Sequence, residues 1–259
     1  MMLYRFLVLA LVSLSPGETS RLEDEDVRKL MEEAKKDVER FTDAIDSRYR
    51  KATIRTATSE VAIDGYLKDL KKSAETMRDR FKEDYAAGRE VLSFLRQASA
   101  IEKRSAQGGG LFGAEKEWPR LRGTLERLSR VYGIDWKSDP ESWSALRMND
   151  RPLREELEKL SSMAKTFKKS LESALEHTSS IRSADRKSLV SAVDRISSAA
   201  NDLKDALEEP PKASKELGKL TAAFDEVRSF LDEHGLANAV GSTFRSLETD
   251  VATVRNAFH

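Results

Sequence analysis

The chain has 259 residues, of which 39% are hydrophobic and only 7% aromatic, a composition that favours long amphipathic helices over sheets. Its 45 Lys and Arg balance its 45 Asp and Glu, which argues against a nucleic-acid binder, because such proteins neutralise phosphates with a basic excess or a basic face. The lack of cysteine excludes disulfides, thiolate catalysis and cysteine-ligated zinc sites.

The N-terminus has the layout of a secretory signal peptide over residues 1–17. A short positive region, Met1–Arg5, precedes the apolar run Phe6–Leu14, and the small or turn-forming residues Ser15–Gly17 follow. The run is too short for a comfortable transmembrane span. We therefore expect an exported protein, periplasmic or extracellular. An uncleaved membrane anchor and a buried first element are the alternatives.

Four amphipathic segments follow in the first half. Ser20 and Glu23 have capping-box spacing and open the first segment, whose apolar residues alternate in steps of three and four. A Thr-rich turn is expected at Thr53–Ser59, a break at Gly88 and a loop at 107–110. The apolar residues of the four segments run from Val27 to Ala52, from Ile63 to Tyr85, from Val91 to Ile101 and from Trp118 to Tyr132.

The second half begins after an irregular stretch, residues 134–151, and repeats this organisation. Its four apolar segments run from Leu153 to Leu175, from Leu189 to Leu207, from Leu217 to Leu231 and from Phe244 to Phe258. The sequence therefore predicts an elongated all-α protein of two tandem antiparallel helix-bundle modules, spectrin-like or up-and-down. The expected domains are a first module at 18–136, a linker at 137–151 and a second module at 152–259.

An offset of 126 residues aligns the two halves without a gap, which predicts an internal duplication. Phe41 then meets Phe167, and Trp118 meets Phe244. The offset is a whole number of heptads, so one unbroken amphipathic helix would match itself trivially. Here Gly, Pro and Thr-rich breaks reset the phase between segments, which favours a true repeat.

The pattern Trp118-x2-Leu121-x3-Leu125-x2-Leu128-x3-Tyr132-x3-Trp136 resembles a group of exported, repeat-containing all-helical bacterial proteins of unknown function. The resemblance covers most of residues 30–136 and, more loosely, 157–258. It implies the helical fold and the repeat, and it brings no activity with it. The second copy departs from the pattern, because Phe244 and Phe258 replace the Trp and the Tyr.

No motif for catalysis or cofactor binding occurs in the sequence. None of the three histidines, His177, His234 and His259, has a carboxylate three residues earlier, so the Glu-x-x-His pattern of di-iron bundles is missing. The glycines at 108–110 lack the Lys-Ser/Thr of a phosphate loop, and no Gly-x-Ser-x-Gly elbow occurs. We expect a non-enzyme with no cofactor and no metal.

Two groups of residues are candidates for an interaction site. Arg48, Lys51 and Arg55 share one helical side, which suits anionic lipid or polysaccharide but also fits a solvated face. The second group contains all three tryptophans and lies beside the irregular segment, as an interaction hot spot or as core packing. Its members are Trp118, Tyr132, Trp136 and Trp143.

The leading functional prediction is a non-catalytic structural or protein-interaction module of the cell envelope, acting through helix-face recognition. A protein partner or self-association is expected, and neither nucleic acid nor a small-molecule substrate is indicated. The alternative is a peripheral membrane protein that binds lipid with its amphipathic helices. The narrow apolar seams favour helix–helix packing over the wide apolar faces used on membranes.

Overall fold

A computed structural model describes residues 21–49, 52–55, 60–106, 110–178 and 181–258. The expected signal peptide, residues 1–17, lies outside these ranges, and so does Ser20 of the capping box. The described part confirms the all-α fold class, with eight α-helices and one two-stranded sheet. The helices of the first half are α1 (Asp24–Ala44), α2 (Ile63–Arg80), α3 (Gly88–Ala106) and α4 (Trp118–Val131). Those of the second half are α5 (Asp150–Glu176), α6 (Ser183–Asp205), α7 (Pro210–Glu233) and α8 (Ala237–Asn256).

Each half packs as a four-helix bundle around its own core. In the first bundle α1 contacts both α2 and α4, and α2 contacts α3. In the second bundle α5 contacts both α6 and α8, and α6 contacts α7. The buried apolar side chains fall into two clusters, one within residues 27–143 and one within residues 153–258. These are the periodic positions of the sequence, because only one stripe of each helix faces its neighbours.

The two cores share an aromatic pair at equivalent positions. The ring centroids of Phe41 and Trp118 lie 5.5 Å apart between α1 and α4. Those of Phe167 and Phe244 lie 5.7 Å apart between α5 and α8. Both members of the second pair follow their counterparts by the offset of the predicted repeat, which supports the duplication.

The prediction of a turn over Thr53–Ser59 was wrong for its first three residues. The strands β1 (Thr53–Arg55) and β2 (Glu60–Ala62) form an antiparallel hairpin, in which Ile54 pairs with Val61. The β-branched residues suit a strand, and Ile54 is buried against the first core. Residues 56–59 lie outside the described ranges.

The segment between the bundles packs on the first bundle. It is irregular apart from one short 3-10 turn at Pro140–Ser142. The Arg96 guanidinium on α3 donates to the Pro140 carbonyl at 2.8 Å, and the Leu146 amide donates to the Tyr132 carbonyl at 3.0 Å. Helix α5 begins at Asp150, two residues before the expected start of the second module.

Candidate interaction site at the joint between the bundles

The joint between the bundles is built from two copies of one short motif. Arg21-Leu-Glu-Asp24 leads into α1, and Arg147-Met-Asn-Asp150 leads into α5. In each copy the arginine lies three residues before an aspartate, and this aspartate is the first residue of the helix. The spacing places a cation beside the helix start and a carboxylate within the first turn. There the helix dipole favours negative charge.

The two motifs bind each other reciprocally. The Arg21 guanidinium donates to the Asp150 carboxylate. In return, Nη2 of Arg147 donates to Oδ1 of Asp24 at 2.6 Å. Each residue of the first pair is thus matched in the second pair by the equivalent residue of the other copy. We call these four residues the clasp.

The backbone contacts of the clasp follow the same exchange. Nη2 of Arg21 donates to the carbonyl of Met148 at 2.7 Å. Nη2 of Arg147 donates to the carbonyl of Leu22 at 3.0 Å. Leu22 and Met148 occupy the same place in their motifs, directly after the arginine. Both guanidinium groups therefore fasten a carboxylate and a carbonyl of the opposite copy.

One carboxylate of the clasp also caps the opposite helix. Oδ2 of Asp24 accepts the backbone amide of Asp150 at 2.9 Å. This amide is among the first of α5, where N–H groups have no partner within the helix. The Asn149 side chain makes no cap and donates instead to the Lys82 carbonyl of the first bundle. The start of α5 is therefore held by two residues of the first half, Asp24 and Lys82.

The arginines of the clasp are buried, which makes their pairing energetically important. The side chain of Arg21 is 2% exposed, and that of Arg147 is fully buried. Burial lowers the pKa of Arg21, the nearby charge of Arg147 lowers it further, and Asp150 offsets part of this shift. Because a buried charge that loses its partner is strongly destabilising, each aspartate is needed to hold its arginine in place.

An aromatic ring lies beside Arg21, and its counterpart in the first bundle is also aromatic. The guanidinium carbon of Arg21 lies 5.8 Å from the ring centroid of Phe258, near the end of the second bundle. At the position equivalent to Phe258, in the first bundle, stands Tyr132. Burial raises the pKa of the Tyr132 hydroxyl, and the charge of Arg147 works against this rise. The amide of Leu146, the residue next to Arg147, donates to the Tyr132 carbonyl at 3.0 Å.

Two of the predicted aromatic candidates lie within the first core. Trp118 is 5% exposed and packs on Phe41, while Tyr132 is fully buried and donates its hydroxyl to the Ala86 carbonyl. Neither side chain offers a face to a partner. The sequence allowed either an interaction hot spot or core packing, and these two positions fit core packing.

The other two tryptophans fasten the linker to the first bundle. The ring centroids of Trp136 and Trp143 lie 5.3 Å apart in a stacked arrangement. Trp143 is 6% exposed and donates its indole N–H to the Ser138 hydroxyl at 3.0 Å. Trp136 is half-buried. Together they hold the linker, and through it the start of α5, against the first bundle.

The predicted basic group is only partly within the described residues. Arg48 is exposed and binds its neighbour Asp46, with Nη2 and Oδ2 at 2.7 Å. This pairing raises the pKa of Arg48 and lowers that of Asp46. Lys51 lies outside the described residues. Arg48 lies in a short 3-10 turn, Ser47–Tyr49, and Arg55 lies in β1, so the prediction that the three cations share one helical side was wrong. The Arg55 side chain also lies outside the described residues.

The flank of the second bundle carries a groove between α5 and α6. It has a volume of ≈ 490 Å³, and Leu175 and Val190 form its apolar floor. Charged and polar side chains surround it: Glu172, Glu176, Arg186, Lys187, Ser191 and Asp194. An apolar floor with a rim of both charges is the chemistry that receives an amphipathic helix.

Other surfaces of the described residues are strongly polar. Among their large hydrophobic side chains only Tyr49 and Tyr85 are exposed. Within the same ranges no three His, Asp or Glu side chains are placed to hold a metal ion. None of the helices described is long and apolar enough to cross a membrane.

No family model, curated protein or solved structure matches this chain. The resemblance inferred from the Trp118–Trp136 pattern therefore stays a prediction.

Sequence analysis missed the clasp, although a signal for it was present. The alignment of the halves rests on apolar positions and does not include Arg21. Extending the same offset of 126 residues backwards aligns Arg21 with Arg147 and Asp24 with Asp150. Identical charged residues at equivalent positions of a weakly similar repeat would have marked the joint.

Proposed function

We propose that this chain is a non-catalytic structural or protein-interaction module of the cell envelope. The observation that carries the proposal is the clasp, which joins two bundles at equivalent ends through buried, reciprocal ion pairs. A joint of this kind favours one arrangement of the bundles, because separating them would break both ion pairs and the two carbonyl hydrogen bonds together. Long helix faces held at a fixed relation are what a scaffold presents to other proteins.

The proposed mode of binding is recognition of a partner helix by the α5–α6 face. The groove over Leu175 and Val190 supports it, since an apolar floor supplies contact area and the charged rim sets orientation. Lys168 and Asp194 already bridge these two helices at 2.8 Å near the groove, so the face is braced before a partner arrives. A preformed face lowers the ordering cost of binding.

Photo-crosslinking in cells tests this proposal. A photoreactive amino acid would replace Val190 in the groove, and a second variant would carry it at Asp64, the equivalent position of α2. We expect the chain with the photoreactive residue at Val190 to capture a discrete protein. The control chain, with this residue at Asp64, should not capture it. Equal captures from both positions would contradict recognition by this face.

The same experiment distinguishes the alternative function. If neither position captures a protein and the chain fractionates with membranes, peripheral lipid binding replaces the proposal. The export component has its own test, because a cleaved leader leaves a mature chain that starts near Glu18. N-terminal sequencing of the native protein that finds Met1 would contradict export by a cleaved signal peptide.

A further inference from the structure

We propose that the two bundle ends are self-complementary, so that each end can pair with the same end of a second copy of this chain. The inference deepens the proposed interaction role by naming one partner and one surface. It rests on that role alone and is independent of export. In the monomer the two ends of one chain pair with each other, and the same contact can also form between two molecules.

The pattern of contacts is that of a two-fold symmetric interface. In such an interface residue i of one unit contacts residue j of the other, and residue j of the first contacts residue i of the second. Within this single chain Arg21 reaches Asp150, and the equivalent Arg147 reaches Asp24. The carbonyl contacts obey the same rule.

The chemistry of the ends is therefore interchangeable. If two first ends met, Arg21 of one copy would face Asp24 of the second copy, which is the same type of pair that the clasp contains. The ring behind the guanidinium would be Tyr132 in place of Phe258, and both are aromatic. None of the four clasp residues requires that its partner come from the same chain.

The linker explains why one chain closes on itself. A short connection gives its two ends an effective concentration in the millimolar range, so the internal pairing wins at ordinary protein concentrations. Exchanging the positive and negative positions at only one end should reverse this preference. Like charges would then oppose each other inside the chain, while two copies of the same altered end would still match.

The test compares full-length charge-reversal variants by size-exclusion chromatography with light scattering. One variant carries Arg21→Glu and Asp24→Lys, a second carries Arg147→Glu and Asp150→Lys, and a third carries all four changes. We expect a doubled molar mass for each of the first two variants. The wild type and the fourfold variant should have the mass of one chain, since opposite charges face each other within the chain again.

The outcomes decide the inference without affecting the proposed groove on α5. Folded monomers from both two-residue variants would overturn self-complementarity and show that each end accepts only the other. A fourfold variant that fails to recover the monomer would also overturn it. In either event the proposed groove is tested separately, by the crosslinking at Val190.

A second measurement covers the event that a two-residue variant fails to fold. The wild-type chain would be refolded from denaturant at high protein concentration, where exchange between copies competes with closure. We expect a dimer fraction that rises with concentration and that falls at least tenfold in the variant with Asp24→Ala and Asp150→Ala. Only monomers at every concentration would overturn the inference.

Discussion

The two bundles use the same helix arrangement but fill it differently. In the first bundle the buried Tyr66 of α2 donates its hydroxyl to the Gln97 carbonyl of α3. At the equivalent positions the second bundle has Ala192 and Ala223, both buried. Small side chains let α6 and α7 approach closely, whereas the tyrosine spaces its helices and needs a hydrogen-bond partner. One backbone plan thus tolerates either a polar link or close alanine packing.

The two bundles also use different polar residues at the contact between their first and last helices. In the first bundle the buried Asp37 of α1 accepts from the Thr124 hydroxyl at 2.9 Å and from Nε of Arg120 at 2.7 Å. In the second bundle the carboxylate comes from the other helix, where Asp250 of α8 accepts from Lys159 at 2.6 Å. Asp250 stands at the position equivalent to Thr124. Both bundles therefore place a buried carboxylate at this contact, although from opposite helices.

The largest expected effect comes from the aromatic pair that the bundles share. Trp118→Ala should lower the free energy of unfolding by about 3 to 5 kcal/mol, as truncation of a large buried aromatic does. Phe244→Ala is the matched change in the second bundle. All three tryptophans lie in the first half, so the fluorescence of Trp136 and Trp143 follows the first bundle alone. Chemical denaturation followed by fluorescence should respond to Trp118→Ala.

Far-ultraviolet circular dichroism follows both bundles and supplies the comparison. Phe244→Ala should lower the stability seen by circular dichroism more than that seen by fluorescence. A change near zero for Trp118→Ala would contradict its place in the core.

The next effect concerns the clasp. Asp24→Ala and Asp150→Ala should each lower the free energy of unfolding by about 2 kcal/mol, because each leaves a buried guanidinium without its carboxylate. Asp24→Ala should be the more damaging, since Asp24 also accepts the first amide of α5. Denaturant titration measures both losses. A larger loss from Asp150→Ala would contradict the capping role of Asp24.

The buried tyrosines should make the first bundle more sensitive to alkaline pH than the second bundle. Burial raises the pKa of Tyr66 and Tyr132 above the value of about 10 that they have in the unfolded chain. Their contribution to stability is complete below about pH 10 and is lost as the pH rises towards the folded pKa values. The second bundle has no tyrosine. Fluorescence-detected stability should therefore fall above about pH 10.

A matched pair of substitutions checks the cause of this alkaline loss. The variant with Tyr66→Phe and Tyr132→Phe should be less stable at neutral pH by about 2 kcal/mol, since it loses two hydrogen bonds. Its stability should then vary less between pH 9 and pH 11 than that of the wild type. An unchanged pH dependence would assign the effect to other groups.

The smallest effect is expected at Arg48. Its ion pair with Asp46 is exposed, and exposed pairs contribute little to stability. Arg48→Gln should leave the melting temperature unchanged and should not alter co-sedimentation with anionic lipid vesicles. A clear loss of vesicle binding would support the prediction that the basic group binds lipid.

Most of the helices could be predicted because their burial follows a periodic apolar pattern. Phe41, Leu67, Phe94 and Leu121 each lie on such a stripe, and each is buried. The hairpin could not be predicted from this signal, because its strands have three residues each and, among their described side chains, only Ile54 is deeply buried. Short elements are determined by the neighbours they meet, which a local pattern does not contain.

The joint was harder to predict for a related reason. Its residues are charged, and in a chain with 35% charged residues most such side chains belong to solvated surfaces. What distinguishes Arg21 and Arg147 is that they are buried and pair across the two halves. Periodicity within one half carries no information about this contact. Comparison of the two halves does carry it, since the motif recurs at the repeat offset.

The most direct test of the central claim, that the clasp holds the bundles as one body, is a spin-label distance measurement. The chain has no cysteine, so Lys72→Cys and Ser198→Cys place labels at exposed, equivalent positions of α2 and α6. We predict one narrow distance distribution, which broadens when Asp24→Ala and Asp150→Ala are added. A distribution that is equally broad with and without these two changes would contradict the account.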